Sequence, residues 1–91
     1  MSDPQPFDGK PVPLRGDVWR HYKGGHYVVL AVAVDVNNPS REEDRYVVVY
    51  RAIGSSQIFA RAEAEFLEDV DGSPRFTLDY RREGVGDQVR T

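Results

Sequence analysis

The side chains best suited to chemistry are concentrated between residues 16 and 30 of this 91-residue chain. This segment holds the single Trp, both His and two of the five Tyr residues. Aromatic rings can stack on planar ligands, and Arg or Lys can engage negative charge, so these residue types indicate a binding surface. Their spacing matches no diagnostic catalytic motif.

Two strand-like runs flank Gly24 and Gly25, which favours a β-hairpin, since glycine readily adopts the positive φ of a tight turn. A two-residue loop at this point sets the register of the hairpin. The resulting cross-strand pairs are Lys23–His26, Tyr22–Tyr27, His21–Val28 and Trp19–Leu30.

Side chains alternate between the two faces of a strand, so this register divides the hairpin into two sets. Trp19, with Leu30 and Val32, is expected to supply the core. The opposite face then presents Arg20, Tyr22 and Tyr27 outward. A one-residue shift of the turn would exchange the sets.

Further candidates lie on the two strands predicted to pair through Gly54-Ser55-Ser56. Arg51 and Arg61 could converge with Arg20 on an anion, or could be surface arginines paired with acids such as Glu63 and Glu65. The complete set of candidate ligand-binding residues is Arg20, His21, Tyr22, Lys23, Tyr27, Tyr50, Arg51 and Arg61.

The two histidines do not by themselves predict a metal centre or an acid–base pair. The chain has no cysteine, and a zinc site would need a third ligand from a distant Asp or Glu. We therefore assign no catalytic residue, no metal ligand and no cofactor, and expect His21 to make a structural hydrogen bond.

The elements that must position these residues are short strands. Strands are predicted at about 17–22, 26–36, 45–52, 57–61 and 75–80, with one helical turn near 62–66. The second is long enough that we expect a bulge midway along it. Five to six short antiparallel strands predict an all-β fold, an SH3-like barrel or roll, over residues 15–80. The Pro-rich residues 1–14 and the polar residues 81–91 are expected to be flexible.

Composition indicates a cytoplasmic protein. No apolar run is long enough to span a membrane, and the absence of cysteine suits a reducing compartment. The net charge of −3 argues against a general polyanion binder, but residues 15–61 carry seven cations against five acids.

The runs WRHYKGGHYVVL at residues 19–30 and VVYRA at 48–52, followed by Arg61 and Phe66, resemble DUF1653, a small bacterial and phage domain of unknown function. The resemblance covers about residues 16–80. Ala62 stands where that family usually has Pro. The resemblance implies that Arg20, His21, Lys23, Tyr50 and Arg61 belong to one site.

These observations support three hypotheses about function. The leading one is a non-enzymatic module that binds a small anionic or planar ligand, or single-stranded nucleic acid, through Arg and Tyr side chains. The second is a domain that binds a partner peptide through an aromatic groove or an edge strand. The third is a small enzyme that uses His21. A monomer and a homodimer both fit the sequence.

Overall fold

The computed structural model describes residues 11–37 and 45–82. Within them the chain forms seven strands and one short helix. In chain order these are β1 (Val18–His21), β2 (His26–Val34), β3 (Tyr46–Ala52), β4 (Ile58–Ala62), α1 (Glu63–Phe66), β5 (Asp69–Val70), β6 (Ser73–Pro74) and β7 (Phe76–Tyr80).

Five of the strands form one antiparallel sheet in the order β4-β3-β2-β1-β7, and β5 and β6 form a small separate hairpin. The predicted all-β class is confirmed, as is the helical turn after β4. The sheet is roll-like and not a closed barrel, because β4 and β7 are its two edges and do not pair with each other in the part of the chain that the structure describes.

Strand β2 is the longest element and connects the two halves of the sheet. Its pairing with β3 shifts register between Val29 and Ala31, which confirms the predicted irregularity midway along it. A bulge increases local twist and bends the strand. The bend lets one nine-residue strand follow the curvature of the roll.

The register of the first hairpin differs from the prediction. Trp19 pairs with Tyr27, three residues before the expected partner Leu30. The connection is four residues long, since the His21 amide donates to the Gly25 carbonyl and both glycines take positive φ. An odd shift reverses the facing of β2 relative to β1. Tyr27 therefore lies on the same face as Trp19, and the predicted outward set containing Tyr27 and Arg20 is wrong.

The core lies between the concave face of the sheet and α1. Trp19 and Phe66 are almost fully buried and meet edge to face, with ring centroids 5.3 Å apart. Phe66 also stacks on Phe76 at 4.1 Å. Burying an aromatic side chain of this kind contributes about 1.5–3 kcal/mol, so these three rings dominate a small core.

Helix α1 covers one side of this core. It has only four residues, and Phe66 on its inner side is buried. Among residues 11–37 and 45–82, no helix is long and apolar enough to cross a membrane.

A buried carboxylate joins the start of the domain to its end. Asp17 is fully buried and accepts hydrogen bonds from the Leu14 amide at 2.8 Å and from Trp19 Nε1 at 3.1 Å. Arg81 binds it through two nitrogens, at 2.8 and 2.7 Å, and also donates to the Val12 carbonyl. The hydrogen bonds that Arg81 donates to Asp17 raise the pKa of Arg81 above its ordinary value.

These contacts extend the packed unit beyond the predicted bounds of 15–80. Leu14 is buried, and Arg81 is anchored to Asp17. The expected flexibility of residues 1–10 and 83–91 concerns positions outside the described residues, and it stays a prediction.

Replacement of Arg81 by Met should destabilise the fold strongly. The substitution keeps an apolar stem but leaves the buried Asp17 carboxylate without a countercharge. Breaking a buried ion pair in this way costs about 3–5 kcal/mol, and we expect the lower end because Arg81 is partly exposed. The measurement is the free energy of unfolding from urea titration.

Arg82→Ala is the matched control, since Arg82 is exposed and adjacent in sequence. Its effect should stay within about 0.5 kcal/mol. Equal losses for the two variants would contradict a structural role for the Asp17–Arg81 pair.

Candidate ligand-binding site

A cavity of about 150 Å³ opens on the concave face of the sheet, beside the aromatic core. Strand pairing explains its composition. Tyr50 lies between Val29 and Phe59 in neighbouring strands, and His21 pairs with Phe76, so their side chains share one face. The cavity is lined by His21, Tyr27, Tyr50, Phe59, Arg61 and Phe76.

Aromatic rings form the walls of this cavity. Tyr27 meets Tyr50, Phe59 and Phe76 edge to face, with centroids between 5.5 and 6.4 Å apart. Tyr50 and Phe59 are stacked at 5.5 Å. Phe59 is 36% exposed on the edge strand β4, so its ring lies at the mouth of the cavity. Such walls suit a flat, apolar ring.

Arg61 is the cationic group of the cavity. Its Nε donates to the Tyr50 hydroxyl at 3.3 Å, and its Nη1 lies 3.6 Å from a carboxylate oxygen of Glu65. The hydrogen bond to Tyr50 is the main cause that raises the pKa of Arg61, so the guanidinium stays charged. Because Tyr50 orients Nε and Glu65 lies near Nη1, the second terminal nitrogen, Nη2, is the one that could contact a ligand.

The Tyr50 side chain is buried, and its hydroxyl is a hydrogen-bond donor that still lacks an acceptor among the described residues. Its side chain belongs to the core at 5% exposure, and its oxygen accepts from Arg61. It donates to no residue in the ranges 11–37 and 45–82. Buried polar groups are almost always satisfied, so an acceptor inside the cavity would complete the bonding of this group.

His21 contributes a neutral imidazole. Its Nδ1 accepts the Lys23 amide at 3.1 Å, which places the proton of the neutral ring on Nε2. Burial, followed by the positive charges of Arg75, Arg61 and Lys23, lowers the pKa of His21. The hydrogen bond from Lys23 agrees with the structural role expected for this residue.

Four of the predicted residues meet in the cavity: His21, Tyr27, Tyr50 and Arg61. Tyr22 lies beside them, with its ring 4.7 Å from that of His21, and the Lys23 ammonium lies 5.8 Å from the Tyr22 ring. These two form part of the turn at the rim.

Arg20 and Arg51 lie on the opposite, convex face. Arg20 pairs with His26, and Arg51 pairs with Val28 and Ile58. Because side chains alternate along a strand, these positions face away from the cavity. Arg51 donates to the Ser55 carbonyl within its own turn. The expected convergence of Arg20, Arg51 and Arg61 is therefore wrong, because Arg61 pairs with Val48 and so shares the concave face of Tyr50, whereas Arg51 alternates to the other face.

Phe59 and Phe76 belong to the cavity but were not among the predicted site residues. Phe59 was detectable, since it precedes Arg61 by two positions and so shares its face of β4. Phe76 was not, because its place beside His21 depends on β7 pairing with β1 across a long sequence separation.

A second, apolar cavity of about 370 Å³ lies on the other side of Phe76, near the edge strand β7. Its described lining carries no charged side chain. It is lined by Pro11, Trp19, Leu67, Pro74, Phe76, Thr77 and Leu78.

The chain matches a protein-family model. The family described as "Protein of unknown function (DUF1653)" matches residues 17–78, well over half of the chain and all of the cavity residues. No curated protein and no solved structure matches the sequence.

The protonation of His21 should be measurable by NMR. We expect the pKa of its imidazole to lie below 6.5, and to rise as NaCl screens Arg75, Arg61 and Lys23. It should stay below 6.5 at high salt, because burial is the largest cause of the shift. A value at or above 6.5 in low salt would contradict this environment.

The lowered pKa of His21 also predicts that the free energy of unfolding depends on pH. The folded state disfavours the charged imidazole, so the stability present above pH 6.5 is lost as the pH falls through the lower pKa of the folded state. Urea unfolding between pH 7.5 and 5 should show this loss. The His21→Gln variant should show a shallower dependence over the same range, and an unchanged dependence would contradict the assignment to His21.

Proposed function

This chain belongs to the DUF1653 family, and we propose that it is a non-catalytic module that binds a planar, anionic ligand in the aromatic cavity. The observation that carries the proposal is the meeting of Arg61 and the buried Tyr50 hydroxyl inside a cavity otherwise walled by rings. A cytoplasmic location, expected from composition, is part of the same proposal.

The cavity supports a planar ligand through its size and walls. About 150 Å³ equals the volume of roughly five water molecules, enough for one ring but not for a chain of rings. A ring inserted beside Phe59 would continue the existing stack of Phe59 on Tyr50. Stacking of a base on an aromatic side chain contributes about 1–3 kcal/mol.

Local charge supports an anionic substituent. Arg61, Arg75 and Lys23 are close enough to His21 to lower its pKa. Arg75 is already bound to the Glu65 carbonyl and the Glu68 carboxylate. Arg61 and Lys23 are therefore the cations that we expect to meet a phosphate or carboxylate at the mouth.

Ligands that fit these features are mononucleotides and single exposed bases of a single strand. Duplex nucleic acid fits poorly, because its bases are stacked and paired, and because the net charge of −3 opposes an extended polyanion. A single-stranded segment would place one base in the cavity and a neighbouring phosphate near Lys23.

Arg61 should be required for binding. Nucleoside monophosphates and five-residue oligonucleotides are titrated into the full chain at two salt concentrations. A hydrogen bond to a charged group contributes about 1.5–3 kcal/mol, so Arg61→Gln should weaken binding by about 10- to 100-fold.

Arg51→Gln is the control, since Arg51 has the same charge but lies on the convex face. It should bind within about twofold of the unchanged protein when measured at 0.15 M salt, where distant charges are screened. Equal losses for Arg61→Gln and Arg51→Gln, or no binding by the unchanged protein, would contradict the proposal.

Phe59 should contribute by stacking. Phe59→Ala removes the ring at the mouth and should weaken binding by about 5- to 100-fold, corresponding to about 1–3 kcal/mol. Ile58→Ala removes a neighbouring exposed apolar side chain on the other face of β4 and should leave affinity unchanged. Isothermal titration with the best nucleotide compares the two, and a larger loss for Ile58→Ala would contradict this site.

A further inference from the structure

Three of the four polar side chains that line the cavity present hydrogen-bond donors, and the fourth, Tyr27, has a hydroxyl that can donate or accept. Arg61 can only donate, and its Nε is already directed at Tyr50. The Tyr50 oxygen accepts that bond and retains a proton to give. His21 uses Nδ1 as its acceptor for the Lys23 amide, which leaves Nε2–H as the donor. Three side chains of the lining therefore offer protons toward whatever fills the cavity.

The carboxylate that lies against Arg61 does not reverse this pattern. Glu65 lies 3.6 Å from Arg61, its side chain is largely exposed, and it is not part of the cavity lining. It thus lies on the solvent side of the guanidinium. A ligand group that itself donates a hydrogen bond would face Arg61 and the Tyr50 proton, and would leave the buried Tyr50 donor unsatisfied.

We infer that the cavity selects a ring whose inserted edge presents two adjacent acceptors, as the O6/N7 edge of guanine does, and that it rejects adenine. This inference rests on the proposed function and specifies its ligand. Guanine offers O6 and N7 as acceptors, whereas adenine places an amino donor next to N7. Arg bound to O6 and N7 is the commonest specific contact to guanine.

The expected difference in affinity between guanine and adenine follows from one pair of hydrogen bonds that guanine forms and adenine does not. A well-formed pair of hydrogen bonds of this type discriminates against the wrong base by about 1–3 kcal/mol, which corresponds to about 5- to 100-fold in affinity. The stacking of the ring is shared by all bases, so guanine and adenine differ only at the polar edge.

The test compares four mononucleotides by isothermal titration into the full chain. Guanosine monophosphate should bind about 5- to 100-fold more tightly than adenosine monophosphate. Inosine monophosphate, which keeps O6 and N7 but lacks the 2-amino group, should bind as guanosine monophosphate does. The 7-deaza analogue of guanosine monophosphate, which lacks the N7 acceptor, should bind several-fold more weakly.

Tyr50→Phe provides the protein side of the test. The substitution removes one donor, keeps the ring and leaves the core filled, so the fold should persist by circular dichroism. We expect the preference for guanosine over adenosine monophosphate to shrink, with adenosine monophosphate affected less.

The oligonucleotides TTGTT and TTATT distinguish a guanine within a single strand from a free guanine nucleotide as the ligand. Tighter binding of TTGTT than of guanosine monophosphate would identify a single strand as the ligand, and the reverse would identify a free nucleotide; both support the inference. Equal affinity for the guanosine and adenosine nucleotides would overturn the inference and leave the proposed binding function standing. No binding of any of these probes would overturn both.

Discussion

The buried Asp17 carboxylate is the interaction on which the rest of the structure depends. A fully buried charge is tolerated only when it is paired and hydrogen-bonded, and Asp17 has four protein donors. One of them is the Trp19 indole, so the carboxylate orients the largest side chain of the core. Another is Arg81, 64 residues away, which closes the domain at its C-terminal end.

From Trp19, aromatic contacts lead directly to the candidate site. Trp19 packs on Phe66, Phe66 stacks on Phe76, and Phe76 forms the wall between the core and the cavity. Core and site are therefore parts of one cluster of rings. A domain of this size has few large side chains to bury, and here the same rings stabilise the fold and shape the cavity. The walls that the cavity shares with the core are made of packed rings, and the partly exposed Phe59 lies at its mouth.

The polar groups of the site are held by local bonds within this cluster of rings. Tyr50 directs Arg61, and the turn amide of Lys23 fixes the imidazole of His21. Under the proposed function, Tyr50, Arg61 and His21 each have a protein partner that orients them and a donor left for the ligand. Such preorganisation reduces the conformational entropy lost on binding.

Local sequence patterns were sufficient to predict the strands, the helical turn after β4 and the irregularity in β2. These features depend on β-branched runs, turn residues and strand length, all of which are short-range properties. His21, Tyr27, Tyr50 and Arg61 were chosen for their aromatic or basic type, and they line one cavity. The place of Tyr27 on the same face as Trp19 could not be predicted, because it depends on a hairpin register that differs between a two-residue and a four-residue turn.

What the sequence by itself determined is the set of elements and the residue types available for binding. Only the tertiary structure decided which of those residues share a face, that Phe76 joins them, and that Asp17 meets Arg81. The physical reason is that alternation along a strand is a local property, whereas the register between strands and a contact across 64 residues are settled by the packing of the whole core.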